Sequence, residues 1–83
     1  MPLGERLKER RRARGLTQAR LAEAARVSQG LIARIERGNV LDPAASIIRR
    51  LANALGVTAD WLIGMNDDDP ADASLLQPAG ASP

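Results

Sequence analysis

A helix drawn through residues 29–37 (QGLIARIER) sorts its side chains by chemistry. At about 100° per residue, Ile32 and Ile35 point one way. Gly30, Ala33, Arg34 and Arg37 point the other, with Gln29 on the flank. Such a stripe suits hydrogen bonding rather than the making or breaking of bonds. A side-chain amide pairs bidentately with adenine and a guanidinium with guanine, on edges exposed in the major groove of duplex DNA. Gln29 and Arg34 are therefore candidate base readers. Gly30 and Ala33, lying between them, would let the helix backbone come close to the groove floor. Arg37, at the helix end, is better placed for a phosphate. Leu31 sits at the margin and leaves two readings open, half-buried core or contact with a thymine methyl.

Short helices joined by a tight turn must position this stripe. Between Thr17 and Gly38 the chain reads TQARLAEAARVSQGLIARIERG, the sequence form of a helix-turn-helix. Leu21, Ala22 and Ala25 recur at helical spacing and form one apolar face. Thr17, Ser28 and Thr58 each follow an apolar residue (Leu16, Val27, Val57). Each also precedes another by four positions (Leu21, Ile32, Leu62). This is the pattern of an N-cap hydroxyl with a hydrophobic staple across it. The reciprocal glutamate of a capping box is missing, since Arg20, Leu31 and Trp61 occupy those places. Gly15, Gly38, Gly56 and Gly64 mark helix ends. The pattern predicts an all-α fold of five helices at roughly 3–14, 18–25, 29–37, 43–55 and 59–63. The fourth opens on Asp42-Pro43 and buries Ile47, Ile48, Leu51, Ala52 and Leu55.

Eighty-three residues hold one small domain. The expected division is a folded domain over 1–65 and an acidic, disordered tail rich in Pro and Ala over 66–83. All 12 basic residues lie in the first part, which carries +6, while the tail carries −4. Eleven of the 12 are arginine, the residue suited to phosphate and guanine. A GC-rich coding bias would give the same excess, so placement says more than number. The tail reads either as a solubilising end or as a place where Leu75-Leu76 docks on a partner protein. The chain has no His and no Cys, which removes the commonest general base, the commonest metal ligands and any disulfide. The Asp67-Asp68-Asp69 run lacks a frame to hold a cation. No enzyme activity, cofactor or metal is expected. No apolar run suits a membrane span and nothing reads as a signal peptide. The expected place is the cytoplasm, in association with the nucleoid.

These segments, with GERLKERRRARGLTQ before them and LANALGVTADWLIG after, resemble the lambda-repressor-like, Cro-type (XRE) family of helix-turn-helix regulators. The resemblance covers about residues 3–65. It rests on Thr17-Gln18, Leu21-Ala22, Ile35-Glu36-Arg37-Gly38, Leu51-Ala52, Leu55-Gly56 and Asp60-Trp61-Leu62 at the family's spacing. It implies a compact five-helix domain whose third helix enters the major groove, usually as a homodimer. It also implies that Gln18 and the N-terminus of helix two, where Thr17 is the cap, meet a DNA phosphate, which makes Thr17 and Gln18 candidate phosphate contacts beside Arg37. The helix dipole supports that role. Arg11 and Glu36 fall where the family pairs helices one and three through an ion pair. Two positions depart from the pattern. Arg26 stands in the turn where glycine is usual, and a non-glycine residue there costs roughly 1 kcal/mol. Arg10 stands where an aliphatic residue is usual, and could snorkel along the core edge toward solvent.

The expected function is that of a transcriptional regulator, a repressor more readily than an activator, on a pseudo-palindromic operator. The competing reading is an antitoxin or adaptor of the same fold whose main target is a protein. The polar, basic stripe weighs against it. The homodimer contact is expected at Trp61, Ile63 and Met65, because a helix as short as the fifth cannot bury all of them once Leu62 is committed to its staple. Trp61 also admits another reading, as the single aromatic plug of the core.

Overall fold

The computed structural model describes residues 2–65. The expected tail, including Asp67-Asp68-Asp69 and Leu75-Leu76, lies outside the described residues. Five helices follow one another: α1 (Leu3–Ala13), α2 (Gln18–Ala25), α3 (Gln29–Glu36), α4 (Ala45–Leu55) and α5 (Ala59–Leu62). No strand occurs among the described residues. The α2 helix packs on both α3 and α4, α1 crosses α3, and α5 closes the bundle against α4 and α1. The centre is aliphatic. Leu7, Leu21, Ile32, Ile35, Leu51, Leu55 and Leu62 are all fully buried, with at least one from every helix. Each such side chain contributes about 1.5–3 kcal/mol through burial.

Three hydroxyls start three helices. Thr17 Oγ1 accepts the Arg20 amide, Ser28 Oγ the Leu31 amide and Thr58 Oγ1 the Trp61 amide, each at 3.0 Å. Every cap of this kind is worth about 1 kcal/mol. Arg26 ends α2 in the left-handed region, at φ 58° and ψ 46°, so this tight turn carries the strain a glycine would avoid. By contrast Gly56, which closes α4, takes φ 70° without that cost.

Helix four begins later than the sequence suggests. Ala44, at φ −57° and ψ 148°, is its N-cap, and no side chain caps it. Asp42 and Pro43 belong to the preceding loop. The buried stripe of α4 starts only at Ile48, so packing gives no reason for the helix to extend back to Pro43. Ile47, expected in that stripe, is only partly buried at its edge.

The α1 helix carries the least expected feature. Several of its arginines turn inward, toward backbone carbonyls. Arg6 is 7% exposed, and its Nε donates to the Trp61 carbonyl at 2.7 Å. Arg10 Nε makes a long contact of 3.5 Å to the Leu55 carbonyl at the end of α4, rather than snorkelling to solvent. The Arg14 guanidinium lies over Gly56. Cations at helix C-termini are favoured by the carbonyl dipoles there.

Candidate nucleic-acid interface

Burying Ile32 and Ile35 turns the opposite side of α3 outward. Gln29, Gly30, Arg34 and Arg37 are exposed and Ala33 is half-buried. Leu31 is half-buried and packs against the core. Gly30 has no structural reason to be glycine. Its φ is not left-handed, and a Cβ built there would meet nothing within 4 Å. A glycine in a helix costs about 0.5–1 kcal/mol relative to alanine.

Two contacts fix the far end of α3. Gly4, in the first turn of α1, sits directly on it: a Cβ at this position would overlap the Ile35 carbonyl oxygen and crowd that of Glu36. The N-terminal turn of α1 thus meets the C-terminal carbonyls of α3 backbone to backbone, an arrangement the two helix dipoles favour. The second contact is a carboxylate shared by three helices. Arg11 donates to Glu36 through Nε at 2.7 Å and Nη2 at 3.0 Å, the bidentate geometry of a strong pair. Gln18 Nε2, from the start of α2, donates to the same carboxylate at 3.0 Å. Arg11 Nη1 also donates to the Leu16 carbonyl at 2.8 Å. The two charged side chains are only 10% and 4% exposed.

Burial alone would push the Glu36 carboxyl up. The hydrogen bonds from Arg11 and Gln18, with the charges of Arg11 and Lys8, outweigh it and hold the group below its ordinary range. The hydrogen bond to Glu36 raises the Arg11 guanidinium against its own desolvation. Gln18 in this network and the close approach at Gly4 were not legible in the sequence. Both depend on how helices cross, and no local pattern encodes that. The Thr17 hydroxyl, exposed beside this network, accepts its capping bond.

On α5 Trp61 is half-buried, with the Arg6 guanidinium 4.5 Å from its ring centroid, a cation–π contact. Arg6 is a partner that sequence reasoning missed, 55 residues away along the chain. Ile63 is 45% and Met65 77% exposed, and Leu41, from the loop before α4, joins them at 78%. No group of acidic, His or Cys residues among those described could hold a metal ion. No described helix is long and apolar enough to cross a membrane.

A family model described as helix-turn-helix matches residues 7–62. Among curated proteins, the chain is 39% identical over 64 residues to an immunity repressor protein of Bacillus phage phi105. That match covers 77% of this chain and 44% of the phage protein, so the chain spans less than half of that relative's length. It is 41% identical over 59 residues to YazB of Bacillus subtilis, an uncharacterized HTH-type transcriptional regulator, covering 71% of this chain and 84% of that one. Among solved structures it is similar to the DNA-binding domain of the P22 c2 repressor. The TM-score is 0.72 at 29% identity, over 86% of this chain and 95% of that one. Family and fold are those of DNA-binding regulators rather than of enzymes.

Proposed function

This chain belongs to the Cro-type helix-turn-helix family, and we propose that it is a sequence-specific transcriptional regulator, a repressor, binding duplex DNA as a homodimer. In this reading residues 1–65 are the DNA-binding domain and α3 lies in the major groove. Gln29 and Arg34 pair with base edges, and Gly30 and Ala33 face the groove floor. Thr17, Gln18 and Arg37 meet phosphates. The donors needed for this remain. The Thr17 hydroxyl accepts its capping bond and keeps its own proton to give. Gln18 has two amide hydrogens, and one bond to Glu36 uses only one of them.

The observation that carries the reading is Gly30. It is an exposed helical glycine that neither packing nor backbone angle requires, on the same side as two exposed arginines. A helix thinned at that point suits an approaching surface from outside the protein. The similarity to an immunity repressor of a Bacillus phage agrees with the reading. One recognition helix per chain covers few base pairs. Two related by a two-fold axis would sit about 34 Å apart, one DNA turn. The exposed apolar edge at Ile63 and Met65, beside Trp61, supplies a surface for that pairing.

Selection of bound sites from random duplexes with the purified chain tests the proposal. The expected product is an inverted repeat with half-sites one turn apart. A motif without inverted symmetry, bound by one chain per duplex, would overturn the homodimer. No enrichment at all would overturn sequence-specific binding.

A further inference from the structure

Beside α5 runs a groove that the outward stripe of α3 does not use. Two adjoining cavities of about 380 and 320 Å³ share Pro43, Ile48 and Ile63 and reach Leu3 and Leu41. Leu41 and Ile63 leave much of their apolar surface open to water. We infer that this groove seats Leu75 and Leu76 of the same chain.

Three observations point to that occupant. The first is position. The described chain stops at Met65, two residues beyond Ile63 on the groove's rim. Leu75 lies ten positions beyond Met65, and ten residues span at most about 36 Å. That is ample for a return to a site beginning two residues back. The second is composition. Leu75 and Leu76 are the only large apolar side chains between residues 66 and 83, set among Asp, Pro, Ala and Ser. The third is charge. Residues 66–83 carry four acids and no base, against +6 on residues 1–65. The groove's own rim, with Arg49 beside Asp42, is electrically balanced, so the attraction is that of the whole domain.

Seating the leucines in cis covers Ile63, the residue assigned above to the homodimer contact. The segment then competes with a second copy, a consequence that rests on the homodimer reading, whereas the seating itself does not. If the groove is free in one molecule out of three, each copy's competence falls threefold and dimerisation weakens about ninefold.

The test is the full chain carrying Leu75→Ser and Leu76→Ser, compared with the unaltered chain by methyl NMR and sedimentation equilibrium. The expected result is a shift of the Leu41, Ile48 and Ile63 methyl resonances, with Ile32 unmoved, and a dimer dissociation constant about ninefold lower. Shifts in a chain that stays monomeric at every concentration would uphold the seating and overturn only the homodimer. Unmoved groove resonances would overturn the seating. Weaker dimerisation in the variant would place the leucines on the partner copy and overturn the cis arrangement.

Discussion

Gly30→Ala should separate stability from function. In the free protein the added methyl meets no atom within 4 Å and the backbone angle is an ordinary helical one. The substitution therefore removes the conformational cost of a helical glycine, about 0.5–1 kcal/mol. For a domain of this size each kcal/mol moves the melting temperature by about 4–8 °C, so the variant should melt roughly 2–8 °C higher. On DNA the sign reverses. Two extra methyls, one per protomer, would press into a closely packed interface, where an unwanted methylene costs about 1–3 kcal/mol. Affinity for the selected duplex should therefore fall at least tenfold, since tenfold is about 1.4 kcal/mol. Thermal denaturation followed by circular dichroism reads the first effect, and fluorescence anisotropy on a labelled duplex at fixed salt reads the second. A variant that melts higher and binds with unchanged affinity would refute the assignment of Gly30 to the groove floor. One that melts lower would refute the claim that the fold has no need of glycine there.

Glu36→Ala should cost about 3 kcal/mol, because it leaves the poorly exposed Arg11 guanidinium without its counter-ion; a loss below about 1 kcal/mol in denaturant titration would mean the pair is effectively solvated. Since the Glu36 carboxyl is held low, it adds stability above the ordinary glutamate range. That contribution is lost as pH falls through the lower folded value, so Glu36→Gln should flatten this part of the acid-denaturation curve. Gly4→Ala must push α1 off the end of α3 and should destabilise by about 1–3 kcal/mol, with an unchanged melting temperature counting against the close approach. Ile63→Asp should yield a folded monomer with weakened DNA binding, read by sedimentation and by anisotropy. A dimer of unaltered affinity would move the interface elsewhere.

What the sequence makes legible is local. The hydroxyls of Thr17, Ser28 and Thr58 act within three residues of themselves, so their caps can be read directly from spacing. The buried faces of α2 and α3 follow from helical periodicity for the same reason. The strained turn at Arg26 is anticipated differently, from the family resemblance, in which glycine is usual at that place. Helix four shows how a local signal misleads. Asp42-Pro43 has the chemistry of a helix start, yet the helix begins at Ala45, within one turn of its first buried side chain, Ile48. The remaining features arise between segments far apart in sequence. Gly4 against Ile35, Gln18 on Glu36, and Arg6 on Trp61 each require the helices to be placed before the contact exists. The outward stripe of α3 was legible because it is the complement of a buried face. The groove beside α5 was not, because Leu3, Leu41 and Ile63 come from three separate segments.

The arginine excess can now be weighed by placement. Lysine delivers a point charge, whereas arginine offers a planar fork that bonds carbonyls while staying charged. Arg6, Arg10 and Arg11 use Nε or Nη groups on the carbonyls of Trp61, Leu55 and Leu16, and Arg14 lies over the turn that ends α4. Arg6, Arg10 and Arg11 are buried or half-buried and turned toward the protein's own backbone, whereas Arg14 is exposed. Exposed Arg34 and Arg37 belong to the outward stripe of α3, while Lys8, Arg12, Arg20, Arg26, Arg49 and Arg50 are exposed as well. The two roles have different salt signatures. Each phosphate neutralised adds about −0.9 to the slope of log affinity against log salt. Arg37→Ala removes one contact per protomer, so in a dimer the slope should become shallower by about 1.8. Arg10→Leu, which restores an aliphatic residue to the Leu3–Leu7 side of α1, should leave the slope unchanged. Its effect should appear in the melting temperature instead. If Arg10→Leu flattens the slope as much as Arg37→Ala does, the inward arginines serve the DNA after all, and the division drawn from their carbonyl contacts is wrong.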